Sequence, residues 1–156
     1  TTEIYTLSLH DALPILRVVI DTNVIVSGLL SRSGTPAEIL DAWRGRQFLL
    51  LSSAPIISEV KAVLTYSRIK ERYSITQDVI DQVVALLAQH ALLADEGDTA
   101  AGSIPADPQD EMFLACAQSG QADLIVSGDH HLLDLGEYKG IPVKTARQFL
   151  ELLKIK

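Results

Sequence analysis

Four acidic residues, in four separate parts of the sequence, stand where carboxylates could act together. Asp21 directly follows the apolar run "VVI", and Glu59 lies in "SSAPIISEV". Asp110 lies in "DPQDEMFLACA", and Asp129 follows "LIVSG". Carboxylate oxygens are the ligands of hard cations such as Mg²⁺ and Mn²⁺, which retain waters and bind substrate phosphate. If the fold gathers these acids, a divalent cation would relieve their mutual repulsion.

Three of these acids also have an ordinary structural interpretation. Asp21 would serve as the N-cap of a following helix, where aspartate is favoured. Glu59 falls at the edge of the apolar stripe of its helix, and it could instead extend into solvent near Lys61. Asp129 follows a glycine, which is typical of a turn. Each residue alone is therefore ambiguous, and the metal interpretation depends on all four together.

Asp110 has its own structural alternative. In "DPQD", Asp107 can be the N-cap, Pro108 the first helical residue, and Asp110 the third, a position typical of a capping box. Asp110 also leads an apolar stripe with members at i+3, i+4 and i+7, so it lies on the inner face of its helix. Because Asp107 suffices as a cap, Asp110 remains available for the site.

The elements that must position these acids alternate between strands and helices. Continuous apolar runs predict buried strands at "RVVI", "QFLLLSS", "ALLAD", "ADLIVSGD" and "IPVK". Helical patterns occupy "VIVSGLL", "TPAEILDAWRG", "SAPIISEVKAVLTYSRI", "TQDVIDQVVALLAQH", "DPQDEMFLACAQSG" and "TARQFLELL". The alternation predicts an α/β fold with a central parallel sheet of about five strands flanked by helices. Ligands of such sheets bind beyond the carboxyl ends of the strands, where Asp21 and Asp129 lie.

The smaller polar residues near these acids are weaker candidates for the site. Asn23 and Ser127 are either donors beside the site or ordinary turn residues, and Ser27 either faces the site or packs. We expect the adjacent His130 and His131, at a turn, to be solvated rather than to act as ligands.

Composition limits the class of protein. The chain has 156 residues, of which 47% are apolar and 21% charged, as expected for one globular domain. Its net charge of −7 argues against broad binding of duplex nucleic acid but not against a nuclease. The single cysteine, Cys116, excludes an internal disulfide and a zinc site of paired cysteines, and it favours the reducing cytoplasm. No apolar run reaches the ~18 residues of a membrane span.

The first fifteen residues, "TTEIYTLSLHDALPI", resemble the conceptual translation of a short-read sequencing adapter. We therefore interpret residues 1–15 as non-native sequence and residues 16–156 as a single domain. The alternative is a natural β-strand at "IYTLSL".

Four motifs together resemble the PIN-domain ribonucleases. "VVIDTNVIVSGLL", "SSAPIISEV", "DPQDEMFLACA" and "ADLIVSGDHHLL" occur in the order and spacing of that family. The greatest similarity is to the PIN-family toxin components of prokaryotic toxin–antitoxin pairs, which are relatives of the VapC-type toxins. The resemblance extends from Arg17 to Leu153.

The resemblance implies a PIN-like three-layer fold and a ribonuclease dependent on Mg²⁺ or Mn²⁺. Asp21, Glu59, Asp110 and Asp129 match the four acids of the family, as both metal ligands and catalytic residues. Asn23 and Ser27 match positions where the family often has a small polar residue. RNA as substrate, a cognate antitoxin and a homodimer are the partners that it implies.

Two alternatives remain open. A receiver-type signalling domain would share the architecture and would use Asp21 with Mg²⁺, Asp95 as phospho-acceptor, Ser127 and Lys144. That alternative leaves Glu59 and Asp110 unexplained. A PIN-like module that only binds a partner is the other alternative, and the four intact acids weigh against it.

Overall fold

The computed structural model describes residues 15–95 and 108–155. The predicted non-native segment therefore lies outside the described residues except for Ile15, which is exposed. The predicted cap Asp107 also lies outside them.

Six strands form one sheet in the described part of the chain. They are β1 (Arg17–Ile20), β2 (Leu49–Ser52), β3 (Leu92–Leu93), β4 (Leu124–Val126), β5 (Glu137–Tyr138) and β6 (Ile141–Lys144). Their order across the sheet is β3-β2-β1-β4-β6-β5. The first five in this order are parallel, and only β5 pairs antiparallel, with β6. The predicted α/β class with about five parallel strands is confirmed, and the two-residue β5 was not predicted because it is too short to show a pattern.

Helices connect these strands. They are α1 (Thr22–Leu30), α2 (Thr35–Arg44), α3 (Ala54–Thr65), α4 (Ser67–Arg72), α5 (Gln77–His90), α6 (Pro108–Ser119), α7 (His130–Leu135) and α8 (Ala146–Ile155). None of the helices within the described ranges is long and apolar enough to cross a membrane.

The helix predicted over "SAPIISEVKAVLTYSRI" is interrupted. Tyr66 has ψ of 133° and separates α3 from α4. Just before the break, the hydroxyl of Thr65 donates to the carbonyl oxygen of Lys61, 2.5 Å away. Such a side-chain bond to the preceding turn competes with continuation of the helix. The prediction of a single helix was therefore wrong at this point.

Two further local predictions differ from the structure. Thr35 is the first residue of α2 rather than its cap, and Gly34 is the N-cap, with φ of 104°. His130 and His131 open the short helix α7 instead of extending a turn, although both are exposed as expected.

The central strand β1 explains why the fold has three layers. Val18, Val19 and Ile20 are all fully buried. Successive side chains of a strand point to opposite faces of the sheet, so both faces of β1 must be covered. The helices supply this cover, and the carboxyl ends of the strands remain available for a site.

Candidate active-site cleft

A small cleft of about 80 Å³ opens at the carboxyl ends of β1 and β4. It brings together all four acids that the sequence singled out. Its lining consists of Asp21, Thr22, Asn23, Glu59, Asp110, Met112, Phe113, Asp129 and Leu132. The first residues of α1 and α6 and the cap of α7 meet there, so three helix N-termini adjoin the acidic group.

Asp21 is fixed at the base of this cleft by its backbone and by both carboxylate oxygens. Its N–H donates to the carbonyl oxygen of Val126 at 3.0 Å, which attaches it to β4. Its Oδ1 accepts from the N–H of Val24 at 2.9 Å, so Asp21 is the N-cap of α1. Its Oδ2 accepts from the hydroxyl of Ser127 at 2.6 Å and the N–H of Gly128 at 3.0 Å. The carboxylate is therefore both a helix cap and a member of the acidic cleft.

Ser127 links two of the four acids. Its fully buried hydroxyl donates to Asp21 Oδ2 and accepts from the N–H of Asp129 at 2.9 Å. Its own N–H donates to the carbonyl oxygen of Lys144 at 3.0 Å, which anchors it between β4 and β6. Ser127 therefore orients the Asp21 carboxylate and fixes the turn that carries Asp129.

Asp129 is half-buried and caps α7. Its Oδ1 accepts from the N–H of His131 at 3.0 Å. The N-cap role explains why a glycine-aspartate pair follows the strand, and it leaves part of the carboxylate facing the cleft. The turn interpretation and the site interpretation are thus compatible.

The other two acids come from helices on the opposite side of the cleft. Glu59 lies in the middle of α3 and is half-buried, next to the fully buried Val60. Asp110 is the third residue of α6 and is only 4% exposed. Since α3 packs against α6, the fold brings Glu59 and Asp110 to the same cavity.

The smaller predicted residues divide into two groups. Asn23 is exposed and lines the cleft, and Ser127 holds Asp21 as described above. Ser27 is exposed on α1 and is not among the residues that line the cleft. It is therefore neither packed nor next to the acids.

Sequence reasoning missed several contributors to the cleft. Phe113 and Leu132 are buried and form apolar walls. Phe113 lies three residues after Asp110, and that helical spacing is the one signal that could have indicated it. No sequence pattern could have indicated the hydrogen bond from the N–H of Gly128, because it forms only when β4 lies beside the strand that leads to Asp21.

The donor set of the cleft fits a hard divalent cation, because it consists of carboxylate oxygens. Within residues 15–95 and 108–155, however, no three acidic, imidazole or thiol side chains are clustered closely enough to form a metal site as they are arranged. Mg²⁺ commonly uses only one or two carboxylates, together with waters and substrate phosphate. The chemistry of the cleft thus agrees with such an ion, although its side chains do not form a closed cage.

The strand order contradicts the receiver alternative. Its candidate phospho-acceptor, Asp95, follows β3, and β2 separates β3 from the strand that leads to Asp21. Neighbouring strands lie ~4.8 Å apart, so β3 and β1 are about 10 Å apart. A receiver needs the two aspartates side by side, and this sheet does not bring them together.

Comparisons with known proteins agree with this fold. Residues 17–131 match the family described as PIN domain. Over 144 residues the chain is 23% identical to the uncharacterized protein MJ1680 of Methanocaldococcus jannaschii, covering 87% of this chain and 90% of that protein.

Solved structures show the same architecture at low sequence identity. The chain is similar to PAE2754 from Pyrobaculum aerophilum, with a TM-score of 0.60, 14% identity and 91% of each chain covered. It is similar to VapBC2 from Rickettsia felis bound to a DNA fragment from their promoter, with a TM-score of 0.55, 10% identity and coverage of 83% and 98%. For FitAcB from Neisseria gonorrhoeae the TM-score is 0.53, with 18% identity and the same coverage. The match across 17–131, on a parallel sheet with an acidic cleft, shows that the chain belongs to the PIN domain family.

Proposed function

We propose that this protein is a metal-dependent endoribonuclease and the toxin of a toxin–antitoxin pair. The observation that carries the proposal is the convergence of Asp21, Glu59, Asp110 and Asp129, from four separate elements, on one cleft. Membership of the PIN domain family supports a nuclease. We propose the same four residues as metal ligands and as the catalytic residues, with Mg²⁺ or Mn²⁺ as cofactor.

The residues of the cleft would have different roles in phosphodiester hydrolysis. Asp21, fixed by three donors, would be the most rigid cation ligand, and Ser127 would keep its carboxylate in place. Glu59 and Asp129 are half-buried and would be the more adjustable ligands. When bound, a divalent cation supplies an activated water and offsets the charge that develops on the phosphate. No side-chain nucleophile is needed for this reaction.

The direct test is cleavage of a labelled RNA with Mn²⁺, with EDTA as the blank. Asp129→Asn and Glu59→Gln should each abolish cleavage while circular dichroism stays native. The double variant should lose hardly more than either single variant, because residues acting as a unit are non-additive.

Asp123→Asn is a matched control for these variants. Asp123 is exposed and accepts from the N–H of Arg17 at 2.8 Å, at the opposite edge of the sheet. Asparagine keeps an acceptor there, so this variant should cleave like the wild type. Full activity of Asp129→Asn, or equal cleavage in EDTA, would refute the nuclease assignment and leave a partner-binding role.

The toxin role rests on a second line of support. The chain shares its fold with FitAcB and with VapBC2, which is bound to a DNA fragment from their promoter, and together with the resemblance to toxin components of toxin–antitoxin pairs this favours a protein antitoxin as partner here. Induced expression in a bacterial host should arrest growth, and Asp129→Asn should not. Co-expression of the product of the adjacent reading frame should relieve the arrest. Growth equal to that of the Asp129→Asn strain would contradict the toxin role without affecting the in vitro cleavage test.

We also propose a homodimer in the cytoplasm. Both rest on the family resemblance and, for the compartment, on the single reduced cysteine, Cys116. Sedimentation of the purified chain tests the dimer, since a monomer at micromolar concentration contradicts it.

A further inference from the structure

One surface concentrates positive charge and exposed aromatic rings, although the whole chain carries a net charge of −7. Between residues 60 and 77 the only acid is Glu71. We call this region, which spans the end of α3, α4 and the following turn, the α4 surface, and its members are Lys61, Tyr66, Arg68, Lys70, Arg72 and Tyr73.

The side chains of the α4 surface are available for a partner. Tyr66 is 55% exposed and Tyr73 is 40% exposed, and both are among the exposed large hydrophobic side chains of the described residues. The guanidinium of Arg72 lies 5.5 Å from the centre of the Tyr73 ring, in a cation–π arrangement. Within the described parts of the chain, no cation of this surface forms an ion pair. The charges are therefore not compensated locally.

The α4 surface begins just after the cleft residue Glu59 in the chain, at the C-terminal end of α3. Glu59 lines the cleft, and Tyr66 follows it by seven residues. Tyr66 is the C-cap of α3 and has φ of −61°, so it lies about two helical turns beyond Glu59, about 10 Å further along the helix axis. A single strand of RNA with one phosphate in the cleft, beside Glu59, would therefore pass Tyr66 about 10 Å further on.

The backbone holds this surface in a defined shape. The carbonyl oxygen of Tyr66 accepts from the N–H groups of Ile69 and Lys70 at 3.0 and 2.8 Å. Leu64, which precedes Tyr66, and Ile75, which follows Tyr73, are both buried. The N–H of Ile75 donates to the carbonyl oxygen of Lys70 at 3.0 Å. The exposed rings are thus attached to a pre-organised segment, which reduces the entropic cost of binding.

We propose that the α4 surface binds single-stranded RNA and leads it into the cleft. Bases would stack on the rings of Tyr66 and Tyr73, and Arg68 and Arg72 would contact phosphates. Stacking on a protein ring requires an unpaired base, which favours a single strand over a duplex. This inference rests on the proposed ribonuclease function and assigns a binding surface to its substrate.

The experiment measures binding without cleavage. The probe is a 5′-labelled, unstructured RNA of twelve nucleotides, titrated in EDTA and followed by fluorescence anisotropy, with a duplex of the same sequence for comparison. Tyr66→Ala should weaken binding of the single strand by about tenfold, within the range of one lost stacking contact. Tyr66→Phe keeps the stacking face and should bind like the wild type.

The cations are tested by their salt dependence. Each phosphate contact on a single strand contributes ~0.7 to the slope of log Kd against log salt, so Arg68→Gln combined with Arg72→Gln should reduce the slope by about 1.4. Arg147→Gln is the matched control, because Arg147 is exposed on α8 and pairs only with Glu151 at 3.9 Å. It should leave both the slope and the affinity unchanged apart from a small general charge effect.

The possible outcomes separate this inference from the proposed function. Unchanged affinity in Tyr66→Ala, or tighter binding of the duplex than of the single strand, overturns the inference even if the protein cleaves RNA. A change of oligomeric state in Tyr66→Ala with unchanged RNA affinity overturns it too and assigns the surface to a second copy. If Tyr66→Ala loses RNA binding and the wild type cleaves no RNA with Mn²⁺, the RNA-binding role of the α4 surface is supported and the nuclease assignment is refuted.

Discussion

Replacing Asp21 by asparagine should destabilise the metal-free protein, whereas the same change at Asp129 should hardly affect stability. Asp21 is 4% exposed, and its two carboxylate oxygens accept three hydrogen bonds, from Val24, Ser127 and Gly128. The side chain of asparagine has one oxygen, so at least one of these donors would face its NH2 group instead of an acceptor. A buried N–H or hydroxyl then loses its acceptor.

The magnitude follows from the contacts that are lost. A hydrogen bond to a charged group contributes about 1.5–3 kcal/mol, and a buried donor without an acceptor costs a similar amount. Relief of repulsion between Asp21 and the other acids acts in the opposite direction. Solvent screens the half-exposed Glu59 and Asp129, so the buried Asp110 makes the main opposing contribution. We therefore expect Asp21→Asn to cost about 2–4 kcal/mol.

Asp129→Asn is the internal reference for this prediction. Within the described parts of the chain, the Asp129 carboxylate accepts one hydrogen bond, the cap from the N–H of His131, and asparagine is as good an N-cap as aspartate. We expect a change below about 0.5 kcal/mol, as for most surface substitutions.

Thermal denaturation in EDTA, followed by circular dichroism, measures both variants. At roughly 2–4 °C per kcal/mol for a chain of this size, the midpoint of Asp21→Asn should fall by about 5–15 °C and that of Asp129→Asn by less than about 2 °C. An Asp21→Asn variant that is more stable than the wild type would show that repulsion among the acids outweighs the three hydrogen bonds. Because Asp129→Asn stays folded, it is the cleaner probe of catalysis.

Three other predictions concern the metal, the packing and the buried thiol. Mn²⁺ at a hundredfold excess over its Kd should stabilise the wild type by ~2.7 kcal/mol, and an unchanged melting curve would count against the metal site. Gly28→Ala should cost about 1–3 kcal/mol in urea denaturation, because its added Cβ would lie 2.6 Å from the carbonyl oxygen of Pro36. Gly45→Ala, whose Cβ would meet its nearest atom at 3.4 Å, should cost much less. Burial raises the pKa of the Cys116 thiol to about 12, partly opposed by a hydrogen bond with Ser53, so the native thiol should not react with a disulfide reagent at pH 8. Since this pKa is raised on folding, the contribution of Cys116 to stability should be complete below about pH 9 and decline as pH rises toward 12.

The sequence by itself determined the fold class, and it singled out the four acids that line the cleft. The uninterrupted apolar run "RVVI" requires a strand covered on both faces, and Val18 and Val19 are fully buried as that pattern predicts. Alternation of strands with helices then leaves few possible topologies, since crossovers between parallel strands are nearly always right-handed. Because Asp21 and Asp129 each follow a strand and these two strands are parallel, both residues lie at one edge of the sheet.

Only the tertiary structure decided how those acids are held and which neighbours they have. The three donors to Asp21 include Ser127 and Gly128, more than a hundred residues away in sequence, and no local pattern indicates which strand lies beside β1. The interruption of a helix at Tyr66 was also visible only in the structure, where the Thr65 hydroxyl donates to the carbonyl oxygen of Lys61, a weak local effect that periodicity does not reveal. The spacing of residues along the sequence decides which face of a helix or strand each residue occupies. The order of the strands, which depends on long-range packing, decides which residues lie opposite that face.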